Sequence, residues 1–289
     1  MIIIKVTGGL GNQLFQYAFA KYIEKSLNIN VKYDMQTILE ATNFTKRNLD
    51  IEKFKVILPI ACDRDVSFFL KFRTGILWRI ERKFNQILQR LNSKYLVQKN
   101  AHSLDIPIKD NAYYDGYWQC YQYVDEVRDL ILQEIKAPES FYKKQQNLLS
   151  QMQNSNSVAI HVRRDDYINI KVNALLFEVC DLDYYNEAIT VISKNLENPH
   201  FFIFSQDEQW VKDNFIGDKF HFIKGNSAID DILLMSHCKH NIIANSTFSW
   251  WGAWLNPFKE KIVIAPKKWY IGKRNEATVD LIPPDWIRI

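Results

Sequence analysis

Two adjacent arginines in His161-Val-Arg-Arg-Asp-Asp166 directly follow an apolar run that reads as a strand over Ser157–Val162. A guanidinium presents a planar fork of N–H donors that matches phosphate oxygens in pairs and keeps its charge at neutral pH. Arg163 and Arg164 could therefore hold a pyrophosphate and stabilise negative charge developing on it. The plainer reading is a pair of surface charges opposite Asp165 and Asp166. Position favours the first, because ligands of open α/β sheets sit beyond the carboxyl ends of strands. A second stretch, Asn245-Ser-Thr-Phe-Ser-Trp-Trp-Gly252, places hydroxyls where a strand turns into a helix. Bare N–H groups and the positive end of the helix dipole suit an anion there. Ser246, Thr247 and Ser249 supply more hydroxyls than N-capping alone requires.

A third turn, Gly8-Gly-Leu-Gly-Asn-Gln13, joins a strand over Ile2–Thr7 to a helix that starts at Asn12. It matches a dinucleotide-binding fingerprint only in part, since Leu14 stands where the third glycine belongs, and the chain has no GxxxxGK[ST] segment. Nicotinamide, flavin and P-loop readings are thereby excluded. Asp181-Leu-Asp183 has the spacing of a metal-binding DxD, but Asp183 stands before Tyr184 where a helix N-cap belongs. Asp207 also reads as a cap, and with Ser205 it ends a strand, where either could touch a nucleotide. His237-Cys-Lys-His240 lacks a further ligand, and Cys62, Cys120, Cys180 and Cys238 form no CxxC pair, so no metal is expected. His161 reads as a structural or donor-binding group or as a base. Trp118, Trp250, Trp251 and Trp254 read as core or as stacking platforms for a base or sugar.

These residues need elements to hold them in place. With 289 residues, 47% hydrophobic and 24% charged, the chain can bury two α/β cores. The Ile2–Thr7 strand, its glycine turn, the helix and a second strand at Val31–Asp34 make one βαβ crossover. The polar run within Gln145–Ser157 marks a boundary between an N-terminal domain, 1–150, and a C-terminal domain, 151–289. Beyond it strands at 157–162, 201–205, 220–223, 241–244 and 261–265 alternate with helices, the pattern of a parallel doubly wound sheet. Between them, Tyr123–Ile135 and the basic stretch Val66–Leu91 read as one helix each. The basic stretch is read as a domain helix with a solvated face, with an anionic membrane surface or the acceptor side as alternatives. A net charge of +4 without a Lys/Arg block argues against nucleic acid. The short apolar N-terminus and the lack of a long apolar run place the chain in the cytoplasm, at the inner face of the membrane if the basic stretch binds it.

The segments GGLGNQLFQYAFA, DGYWQ, HVRRDDY, FSQDEQW and DDILLMSHCKHNIIANSTFSWWGAWL, spread from Gly8 to Leu255, resemble the bacterial α-1,2-fucosyltransferases of glycosyltransferase family 11. The HxRRxD pattern at His161–Asp166 is also similar to that of α-1,6- and protein O-fucosyltransferases. The resemblance implies a GT-B-like fold of two Rossmann-like domains with parallel sheets, acceptor binding mostly N-terminal and donor binding mostly C-terminal. It implies an inverting, metal-independent transfer of L-fucose from GDP-fucose to the 2-hydroxyl of a galactose-containing glycan in O-antigen or capsule synthesis. On the donor side it places His161, Arg163, Arg164, Ser205, Asp207, Asn245, Ser246, Thr247 and Ser249. On the sugar and acceptor side it places Gly9, Gly11, Asn12, Gln13, Trp118 and Gln119. Arg163, Asn12 and Asp166 are then the catalytic candidates, although pairing with an arginine would weaken Asp166 as a base. A transferase of another GDP-deoxysugar and a non-catalytic carbohydrate-binding module stay open beside this reading.

Overall fold

The computed structural model describes residues 1–39, 48–88, 93–102 and 106–289, with Thr37, Leu39, Leu88, Asp165, Asp166 and Val172 described through the backbone only. The chain divides into two compact units, 1–136 with 279–281 and 137–278 with 282–289. The division falls at Lys136, ahead of the expected boundary at residue 150. The polar run that suggested a boundary, 153–157, lies instead inside the second unit, where the helix Glu139–Gln153, which buries Phe141, Gln145 and Met152, turns at Asn154 and Ser155 into a strand that starts at Asn156.

In the first unit, β1 (Ile2–Lys5), β2 (Val31–Asp34), β3 (Tyr95–Val97) and β4 (Ala112–Asp115) form one parallel sheet in the order β2-β1-β4-β3. β1 is buried at every position, as expected of a strand covered on both faces. The helix that follows it runs Leu10–Leu27, longer at both ends than the periodicity suggested, and closes on Asn28 in the left-handed conformation (φ 54°), whose N–H donates to the Glu24 carbonyl. The segment Val66–Leu91 is not one helix. A short turn, Asp63–Ser67, is followed by a break and then by the helix Gly75–Leu88, with Gly75 at φ +76°. The Glu81 carboxylate accepts from the N–H groups of Lys71 and Phe72 and so pins the break back onto the helix. Arg90, part of the same basic stretch, lies outside the described residues. Tyr123–Ile135 is likewise two helices, Tyr121–Glu126 and Arg128–Glu134, separated by Val127 at φ −116°, ψ 21°.

In the second unit, β5 (Asn156–Val162), β6 (Pro199–Ser205), β7 (Phe220–Ile223), β8 (His240–Ile242), β9 (Val263–Ala265) and β10 (Ile287–Arg288) form a parallel sheet in the order β10-β9-β8-β5-β6-β7. This is the doubly wound order, in which the chain leaves β5 toward β7, returns and builds outward from β8. Val158, Ile160 and Val162 of β5 pack against Tyr185, Ile192 and Phe201 on one face of the sheet. Both units are therefore Rossmann-like, and the α/β class read from the alternation of elements holds.

Candidate active site

In a parallel sheet the loops at the carboxyl edge of adjacent strands emerge side by side. In the second unit the chain reverses its winding direction between β5 and β8, so the loops after these two strands flank the switch point where doubly wound sheets take their ligands. The loop after β5 carries Arg163 and Arg164; the loop after β8 carries Asn245 and Ser246. On the other side of β5, the loop after β6 carries Ser205 and Asp207. Three of the motifs singled out in the sequence thus share one edge of one sheet.

Side chains fix these loops to each other. Arg164 Nε donates to Asp207 Oδ2 at 3.3 Å, and its guanidinium lies 4.4 Å from the centre of the Trp210 ring. Asp207 meanwhile caps the helix Glu208–Asn214 by accepting from the Trp210 N–H, and Ser205 Oγ accepts from the Asp207 N–H. Arg164 is therefore committed to the β6 side. Arg163 lies toward β8, its guanidinium 5.6 Å from the centre of the Tyr167 ring. The Tyr167 hydroxyl donates to the Asn245 carbonyl at 2.9 Å and so staples the β5 loop to the β8 loop across the switch point. Sequence reasoning gave Tyr167 no role, although its place four residues after Arg163, one helical turn on, was a signal for it. The carboxylates of Asp165 and Asp166 lie outside the described residues.

The turn after β8 is more differentiated than its run of hydroxyls suggested. Ser246 Oγ accepts from the Phe248 N–H and caps the helix Thr247–Trp254, which has no acid in its first turn. Thr247 is partly exposed at the helix start. Ser249 is wholly buried and donates backward to the Ala244 and Ser246 carbonyls, so its hydroxyl is spent inside the turn. Asn245 is buried too. Its amide donates to the Glu178 and Trp269 carbonyls and its Oδ1 accepts from Cys180 Sγ, a set of bonds that holds the turn from behind.

His161 is buried at the end of β5, its ring 5.5 Å from that of Phe248, and its Nδ1 has no hydrogen-bond partner among the described residues. Burial, reinforced by the Arg163 charge, pushes its pKa down from 6.5 to about 3. The unfolded chain therefore takes up a proton near pH 6.5 that the folded chain refuses until about pH 3, and the stability tied to His161 is lost as pH falls through that window. His161→Gln is expected to flatten the pH dependence of the urea midpoint, removing roughly 2 kcal/mol of the loss between about pH 7 and pH 5. An unchanged slope would show that the ring is protonated in the fold. His102 and His240, each lowered by burial to about 4, and His221, also lowered by burial, add to that slope, whereas Asp231, raised by burial to about 6, opposes it.

The first unit has its own switch point, between β1 and β4. The loop after β1 carries Gly8 and Gly9, and the loop after β4 leads to Trp118 and Gln119. Gly8 has φ +82°, and a Cβ there would run into the Asn12 side-chain amide, so the position requires glycine. Gln119 Nε2 donates to Asn12 Oδ1 at 2.9 Å, which joins the two loops through the residues predicted to face the sugar. Gly9 is the N-cap of the helix and offers no side-chain bond; its carbonyl accepts from the Asn12 and Gln13 N–H groups, and Gly11 is buried in this first turn. Gln13 and Trp118 sit differently from expectation. Gln13 is buried, donating to the Gly8 and Asn48 carbonyls and accepting from the Ile51 N–H. Trp118 is wholly buried, stacked on Phe19 at 4.1 Å, and belongs to the aromatic core beneath the turn. Trp250, Trp251 and Trp254 pack on one another in the same way, which settles them as core.

The DxD spacing has a structural explanation in which the cap stands two residues earlier than expected. Asp181, not Asp183, caps the helix Leu182–Ser193 by accepting from the Tyr184 N–H at 2.9 Å. Among the described residues no cluster of His, Cys, Asp and Glu has the arrangement of a metal site.

Residues 1–289 match the model of Glycosyl transferase family 11. The chain belongs to that family. The O-antigen biosynthesis glycosyltransferase WbnK of Escherichia coli is 31% identical to this family 11 chain, over 98% of it and 99% of its own length. An α-1,2-colitosyltransferase of E. coli is 32% identical over 100% of this chain and 99% of its own. Among solved structures, the α-1,6-fucosyltransferase NodZ of Bradyrhizobium, in crystals soaked with GDP-fucose, superposes with a TM-score of 0.51. It covers 89% of this chain and 92% of its own at 15% identity, a likeness of fold. The family 11 chain is thus a glycosyltransferase with two Rossmann-like units. Among its described residues no helix is long and apolar enough to cross a membrane.

Proposed function

We propose that this glycosyltransferase moves L-fucose from GDP-fucose, with inversion and without a metal, to the 2-hydroxyl of a galactoside in a surface glycan. The observation that carries the reading is the stapling of the Arg163 loop to the capped helix start at Thr247 by Tyr167, at the switch point of the C-terminal sheet. Arg163, the start of that helix and the Nδ1 of His161 stand at the carboxyl ends of adjacent strands, the kind of place that binds a diphosphate. The acceptor hydroxyl oxygen attacks the anomeric carbon from the face opposite GDP, and its proton passes to a carboxylate, for which Asp166 is the candidate read from the sequence. The bond from that carbon to the phosphate oxygen breaks through an oxocarbenium-like transition state, and its electron pair stays on the diphosphate. Fixed positive charge and helix N–H groups at the phosphate stabilise that state more than the bound donor, which lowers the barrier. Asn12 and Gln119, at the switch point of the other unit, serve the sugar and acceptor side.

One observation favours a second reading: full-length similarity to the α-1,2-colitosyltransferase. Colitose is fucose without its 3-hydroxyl, so the two readings differ by a single polar contact. A site built to hydrogen-bond that hydroxyl rejects the deoxy analogue by ~100-fold or more, because its own polar groups would be left unpaired. Purified protein should be assayed with GDP-fucose and GDP-colitose and a β-galactoside, in the presence of excess EDTA. The expected result is EDTA-resistant release of GDP, with kcat/KM for the fucosyl donor ahead by that margin and a product linked α-1,2. The reverse ratio would establish colitosyl transfer. Loss of turnover in EDTA, restored by a divalent cation, would overturn the metal-free mechanism.

A further inference from the structure

A surface helix of a globular unit normally turns its apolar stripe inward and its polar face to water. The helix Gly75–Leu88 does the reverse. Its polar side faces its own sheet: Arg82 Nε donates to Asp115 Oδ2 at 3.0 Å, Gln86 donates to the Gln98 carbonyl, and Asn85 Oδ1 accepts from Ser93. Trp78 sits on this side as well, with Lys5 Nζ 4.4 Å from the centre of its ring. Asp115 is an effective anchor. Burial alone would raise its pKa, but Lys5 and Arg82 outweigh that and hold it ionised. The opposite face carries Ile76, Leu77, Ile80, Phe84 and Ile87, which are 74%, 51%, 61%, 61% and 65% exposed. At 100° per residue these five fall within one arc of about 100°. Phe68 and Phe72, exposed just before the helix, extend the patch.

Charge decides what covers it. Between residues 66 and 88 the only acid is Glu81, and its carboxylate is turned onto the Lys71 and Phe72 N–H groups. Of the cations in the same stretch, Arg82 is turned inward, whereas Lys71, Arg79 and Lys83 are exposed. Arg79 and Lys83 follow the apolar arc along one flank, so the face combines inserted aliphatic and aromatic side chains with a positive rim. That is the chemistry of a helix lying in the headgroup region of an anionic bilayer. We infer that the helix Gly75–Leu88 docks the N-terminal unit on the surface of an anionic membrane. Ile80 and Phe84 insert at its centre, and Arg79 and Lys83 meet the headgroup phosphates. The polar bonds to Asp115, Gln98 and Ser93 hold the helix in register with the sheet, so the apolar face is presented ready-made and need not fold on contact.

The test is sedimentation of the full chain with vesicles of phosphatidylcholine alone or mixed with phosphatidylglycerol, at low and high salt. Wild type is expected to bind the mixed vesicles, and binding should weaken with salt. Ile80→Glu and Phe84→Glu should each weaken it by ~10-fold or more, since each puts a carboxylate where a side chain is inserted. Arg79→Gln and Lys83→Gln should each cost about fivefold and leave the apolar insertion intact. All four positions are exposed and outside the transfer site, so turnover on a soluble acceptor should be unchanged, which separates lost docking from lost folding. Wild-type protein that ignores anionic vesicles, or variants that bind as well as wild type, would overturn the inference. So would a dimer in sedimentation velocity that Ile80→Glu dissociates while vesicles are not bound, because the face would then belong to a second copy of the chain.

Discussion

Arg163→Ala is expected to lower kcat by ~100-fold or more at saturating donor, a loss of about 2.7 kcal/mol of transition-state stabilisation, while Arg163→Lys recovers only part of it. The charge that Arg163 would balance grows as the anomeric bond to the diphosphate breaks. The effect should therefore fall on kcat and kcat/KM together, with a smaller change in KM for the donor. Lysine restores the charge but not the planar fork, nor the packing over the Tyr167 ring that sets the guanidinium 5.6 Å from its centre. Pre-steady-state release of GDP separates chemistry from product release and gives the cleaner number. Near-normal turnover of Arg163→Ala would remove the residue from catalysis and reduce the β5 loop to a packing feature.

The parts of this site that were legible in the sequence are those where a short apolar strand ends in polar residues. β5 into Arg163-Arg164, β6 into Ser205 and Asp207, and β8 into the Asn245–Ser249 turn could each be read from residue type and period alone. Their convergence could not be read. It follows from the strand order β8-β5-β6, which is set by crossovers and burial over long sequence separations. Chemical type also left open which hydroxyl or amide faces out. Ser249 and Gln13 look like ligand-facing groups and are turned inward, because buried backbone carbonyls nearby need donors. Trp118 looks like a sugar platform and is a core ring, held at φ 55° by Gln98 Oε1, which accepts from the Tyr117 and Trp118 N–H groups. The strands β3, β4 and β10, of three, four and two residues, were missed, because segments that short carry no period and these, unlike β8 and β9, do not stand in a regular alternation with helices. The inverted helix Gly75–Leu88 was legible as amphipathic and basic. Which face it turns outward depends on where Asp115 ends β4, and only the fold supplies that.

Asn245 gives the sharpest separation between a group that touches the donor and one that holds the loop touching it. Sequence reasoning placed it among the donor-binding residues, whereas its amide donates inward to the Glu178 and Trp269 carbonyls and accepts from Cys180. Its main-chain oxygen is the acceptor for Tyr167, so the residue anchors the turn on one side and the staple to the Arg163 loop on the other. Asn245→Ala leaves two carbonyls without this donor, that of Trp269 buried and that of Glu178 partly so. At about 1–3 kcal/mol for each orphaned group, partly relieved by relaxation, the expected loss of stability is on the order of 2–4 kcal/mol. Asn245→Asp keeps the shape but sets an acceptor against both carbonyls, and should cost more than the alanine. Activity should fall with stability in both, through misplacement of Tyr167 and Arg163, and cooling should restore part of it. The measurement is the urea midpoint set beside donor KM. A lowered midpoint with partial recovery of turnover in the cold identifies a positioning residue. An unchanged midpoint with a large rise in donor KM would mean that the amide rotates out to the diphosphate when the donor binds, and the inward bonds would then be only a resting arrangement.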